Sequence, residues 1–116
     1  MTTPHESDAD AQIFDRAALL DSIHGDHELL QQFIDLFLRD FPDKIETLRT
    51  ANPHTLQNAA HKVLGSARTM RLHRLAAAAW ELQQMAEKTS SRPEELAAGT
   101  ERVNQEYQRV VALLKR

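Results

Sequence analysis

The sequence contains no cysteine among its 116 residues. That excludes disulfides, thiolate metal sites and cysteine nucleophiles, and it fits a reducing compartment, with cytoplasm as the default expectation. Aromatic residues make up only 5% of the chain, so a core must come mainly from Leu, Ala and Val. Three glycines and four prolines are too few for a collagenous or linker-like chain. No stretch approaches the roughly 20 apolar residues that cross a bilayer, and the polar, acidic opening MTTPHESDADAQ lacks the apolar run of a signal peptide. Basic residues do not dominate either: a formal net charge of −3 argues against a general nucleic-acid binder.

What is present is 41% hydrophobic and 27% charged residues, rich in helix formers. The length suits one domain with one core, and is too short for a catalytic domain with a separate cofactor domain. Residues 1–12 carry no periodicity and read as a disordered lead, with the domain spanning 13–116. FDRAALLDSIHGD reads as a short helix ending at Gly25. From Asp26, a candidate N-cap, Leu30, Ile34, Phe37, Phe41, Ile45 and Leu48 recur at helical spacing, with Pro42 as a point of bending. Asn52 and Pro53 then form a break and a helix start, and this second long helix is expected to reach about Met70. Leu75, Ala79, Leu82 and Met85 or Ala86 mark a third, with the Ala76–Ala79 run making a close helix contact. Leu96, Thr100, Val103, Tyr107, Val110 and Leu114 mark a fourth, with Ser90 or Ser91 as cap and Pro93 in its first turn. Phe33, Phe37, Phe41 and Trp80 are assigned to the core. With no strand pattern, the expected fold is all-α: an antiparallel four-helix bundle with a short additional N-terminal helix.

One residue on the second long helix stands apart. At about 100° per residue from His61, Leu56, Ala59, Ala60, Val63, Ala67 and Met70 cluster on the opposite side, so His61 points outward. Gln57, Asn58, Leu64, Gly65 and Arg68 are its expected neighbours on that outward face. A mid-helix glycine costs about 1 kcal/mol relative to Ala, so Gly65 beside an exposed His implies cleared space. Between Glu46 and Glu81 the chain has no acidic residue, while Arg49, Lys62, Arg68, Arg71 and Arg74 are basic. Such a region favours an anionic adduct and steers an acidic partner. A histidine's unperturbed pKa near about 6.5 leaves a neutral nucleophilic nitrogen at cellular pH, which suits phosphoryl carriage when a partner supplies the metal. His24 and His27 flank a turn, but no third ligand is placed by spacing, so no metal site and no cofactor is assigned.

The stretch AAHKVLGSARTMRLHRLAAAAWELQQMAEK resembles the signature of histidine phosphotransfer (HPt) domains, and the likeness extends over about residues 14–115. His61, Gly65 and Ser66 match position by position. Lys62, Gly65, Ser66 and Arg68 are expected to support a phosphoryl group and Gln57, Asn58 and Leu64 to help dock a partner, and the resemblance implies that His61 is the phosphoacceptor. It further implies a non-enzymatic carrier, monomeric by default, that exchanges phosphoryl groups with aspartates of response-regulator receiver domains, in some systems with a hybrid sensor kinase. Neither nucleic acid nor membrane is expected as a partner. The sequence departs from the family in two places: Leu64 stands where a lysine is usual, and Arg71–Leu72 where Gly-Ala is frequent. Two other readings stay open at this level. One is a docking bundle in which His61 is never phosphorylated; the other is a helix-turn-helix with its turn at Gly65 and Arg68, Arg71 and Arg74 on a recognition helix.

Overall fold

The computed structural model describes residues 8–116. The described residues form six helices and no strand: α1 (Asp8–Ile13), α2 (Arg16–Ser22), α3 (His27–Thr50), α4 (Leu56–Thr69), α5 (His73–Glu87) and α6 (Pro93–Leu114). Each long helix carries one apolar stripe and must bury it, and the four stripes meet in a closed ring. α3 packs on α4, α4 on α5, α5 on α6, and α6 back on α3. The expected four-helix bundle is thus present. Phe41 stacks on Tyr107 with centroids 5.3 Å apart, and Phe37 packs tilted against Phe41 at 4.4 Å.

Local chemistry sets the helix ends. Asp26 caps α3, its carboxylate accepting from the Leu29 N–H at 3.0 Å. α3 then runs unbroken through Pro42, which lies on its exposed side. Asn52 does cap the following segment, accepting from the His54 and Thr55 N–H groups at 2.9 and 3.0 Å, but residues 53–55 form a turn and regular helix begins only at Leu56. At the other end of α4, Arg71 adopts a left-handed backbone with φ 61°. The Leu72 N–H closes back on the Ala67 carbonyl at 2.9 Å, as in a glycine-terminated helix. Arg71 therefore makes the left-handed turn that glycine usually makes at a helix end, and its guanidinium donates to the Arg68 carbonyl at 3.0 Å. α2 ends at Ser22, with His24 and Gly25 both at positive φ.

Several expectations need correcting. Residues 1–7 of the expected disordered lead lie outside the described residues. Residues 8–12 belong to α1, which packs on α5 and α6, and Asp10 pairs with Arg116 at 3.2 Å. A six-residue helix is too short to reveal a stripe by periodicity. Ser91 does not cap α6: its hydroxyl donates to the Met85 carbonyl at 2.7 Å, closing α5, and Arg92 is the N-cap. Trp80 is 48% exposed, because it lies about 100° around α5 from buried Ala79.

Candidate functional site

α4 buries one whole face. Its stripe of Leu56, Ala59, Ala60, Val63 and Ala67 is at most 6% exposed. The small alanines let α5 approach closely, which orients the remaining face to solvent. On that face His61, Lys62, Gly65 and Arg68 are exposed and Ser66 is half-buried. His61 makes no hydrogen bond or ion pair among the described residues. Its ring is thus held only by its place on the helix. α4 is continuous through Gly65, so no turn interrupts it and the helix-turn-helix reading falls. A methyl group built on Gly65 would meet nothing within 4 Å, so the glycine is not relieving a crowded helix contact.

The outward neighbours separate onto two seams. Toward α5, Gln57 donates to the Glu87 carboxylate at 3.0 Å, and Arg68 shares a shallow hollow with Ala76, Ala77, Trp80 and Glu81. This antiparallel register puts Trp80 opposite Leu64 and Gln83 level with His61. Leu64 is accordingly only 3% exposed, which corrects its expected place on the docking face: 60° around the helix from His61 is already inside the α4–α5 contact. Toward α3 the surface is open. An apolar groove of about 360 Å³ is walled by Phe33, Leu36 and Phe37 on one side and Gly65, Ser66 and Thr69 on the other. Leu36 is 44% exposed at its rim. Asn58 is exposed one turn before His61.

The basic region is smaller than its sequence suggested. Arg74 donates to Glu106 Oε2 at 3.0 Å, and Arg109 donates to the same oxygen at 2.9 Å. Arg49 lies in a hollow with Pro93 and Glu101, against α6, and Arg71 is folded onto the α4 carbonyls. Of the five, Lys62 adjoins His61 in sequence and Arg68 lies two turns further along α4, and both are exposed. Sequence reasoning missed Glu106, which is 4% exposed and binds α5 to α6, because its sign and flanks resemble any surface glutamate. It also missed Gln83, whose buried amide oxygen has no partner, and Lys44 on α3. Among the described residues no three His, Asp or Glu side chains gather as a metal would require, and no helix is long and apolar enough to cross a membrane.

The family model for the Hpt domain matches residues 28–113, from the first turn of α3 almost to the end of α6. The chain belongs to the Hpt domain family. Hpt domains are helical phosphocarrier modules that work with response regulators and kinases in two-component phosphorelays. No curated protein and no solved structure matches the chain.

Proposed function

We propose that this Hpt domain carries a phosphoryl group on His61, accepting it from the aspartyl phosphate of one receiver domain and passing it to the aspartate of another. The observation that carries the reading is His61 exposed and unbonded on a rigid helix, with clear space above Gly65 one turn away. In the accepting step an unprotonated ring nitrogen of His61 attacks phosphorus. The N–P bond forms as the P–O bond breaks, and the aspartate leaves as carboxylate with the electron pair; the passing step is the reverse. The receiver contributes its own metal and acidic pocket, and the Hpt domain contributes placement, so it acts as a carrier with no catalytic apparatus of its own. Lys62 and Arg68 are assigned to the charge of the phosphoryl group, Gly65 and half-buried Ser66 to its space. Gln57, Asn58 and the Leu36 groove are assigned to docking, the groove taking an apolar helix of the receiver.

The test is transfer of label from a phosphorylated receiver domain to the full chain and to a His61→Gln variant. Acid-labile, base-stable label on the wild type and none on the variant is expected. Equal labelling of the variant would refute the assignment. A second reading, a docking bundle without phosphorylation, draws on the burial of Leu64 where the family carries lysine; it predicts receiver binding with no label on either protein.

A further inference from the structure

A phosphoryl group brings nearly two negative charges at neutral pH and needs cations within reach. Leu64 supplies none, and Arg68 lies two turns from His61 in a hollow that also holds the Glu81 carboxylate. The α3 side differs. Lys44 lines the groove that contains Gly65 and Ser66, and it also lines the adjoining hollow that contains Ala59 and Lys62. Those four residues bracket His61 along α4, so Lys44 is level with His61 across the α3–α4 seam. It is half-buried, a setting in which a lysine can pack its stem and still offer its ammonium to a ligand. It forms no ion pair or hydrogen bond among the described residues. Asp40 lines both the groove and the hollow with Lys44 and is paired with Arg39 at 3.0 Å; the Arg39 guanidinium first, and the Lys44 charge more weakly, hold its carboxyl below the usual carboxylate range. Asp43 lines the hollow with Lys62. On the far side, Glu87 is bonded by Gln57 and Glu81 is paired with Arg102.

Building on the assignment of His61 as carrier, we infer that Lys44, from the neighbouring helix, contacts the phosphoryl group on His61 together with Lys62. The cation that the family carries on the α5 side of the His helix is thus replaced by two lysines on the α3 side. The phosphoryl group then leans toward the lane that Gly65 leaves open, and a receiver meets it there.

The test is a ³¹P pH titration of the full chain phosphorylated with potassium phosphoramidate, the resonance assigned by its loss in His61→Gln. An adjacent ammonium lowers the phosphoryl protonation pKa, so Lys44→Met is expected to raise it by about half a unit, and Lys44→Arg to restore it. Lys62→Met should produce a shift of the same sign. A Lys44→Met titration identical to the wild type, in a variant with unchanged thermal unfolding, would overturn the inference. That failure is separable from failure of the carrier reading, which is read from receiver-to-domain transfer in His61→Gln.

Discussion

The two seams that flank α4 differ in almost every respect. Toward α5 the contact is close, built on Ala60, Ala67, Ala78 and Ala79, all at most 2% exposed, and it closes over Leu64. Toward α3 the helices part around a groove with exposed Leu36 on its rim and two lysines beside it. The first seam fixes where α4 points; the second leaves the surface beside His61 accessible. A carrier needs both, since transfer requires a rigidly placed nucleophile and room for a folded partner.

This contrast can be broken by filling the close seam. Ala79→Leu should overpack it and cost about 1–3 kcal/mol, seen as a midpoint shift in urea unfolding with little change in slope. Next in size is Glu106→Gln, which removes the charge that Arg74 and Arg109 share from α5 and α6. A loss of about 1–2 kcal/mol is expected, and a double mutant with Arg74→Met should lose less than the sum of the two single changes. On the open seam the effects should reverse in kind. Leu36→Ala should leave stability within about 0.5 kcal/mol, because the side chain is already 44% exposed, yet weaken receiver binding measurably by calorimetry.

The smallest effect concerns the corner between α4 and α5. Asp15 caps α2 and bonds His73 at 3.1 Å, and its N–H donates to the Arg71 carbonyl. The His73 bond lowers the Asp15 pKa below its ordinary 3.8, against a smaller opposing effect of burial. A depressed carboxyl pKa stabilises the fold above the unfolded value, and that contribution disappears as pH falls through the folded value. Asp15→Asn should therefore flatten the acid limb of stability below about pH 4, while near neutral pH its weaker cap should cost at most about 1 kcal/mol.

Much of this was legible beforehand. The spacing of Leu30 through Leu48 and of Leu96 through Leu114 defined α3 and α6, because a period of 3.6 survives in any long amphipathic helix. His61 and Gly65 were placed outward by the same arithmetic. Leu64 was misplaced because angle alone does not say which neighbour covers a flank. Trp80 was assigned to the core by residue type, although its spacing from Leu75, Ala79 and Leu82 already set it apart. Arg74 counted as free charge because its partner, Glu106, lies 32 residues away. Lys44 went unseen for the same reason: its relation to His61 exists only after α3 and α4 pack.

The central claim is that Gly65 keeps the approach to His61 clear at the expense of helix stability. It is tested most directly by measuring unfolding free energy and receiver-to-domain phosphotransfer on a single variant, Gly65→Ala. With nothing within 4 Å of the added methyl, stability should rise by about 0.5–1 kcal/mol while transfer slows about tenfold or more. A variant that gains stability and transfers as fast as the wild type would contradict the account.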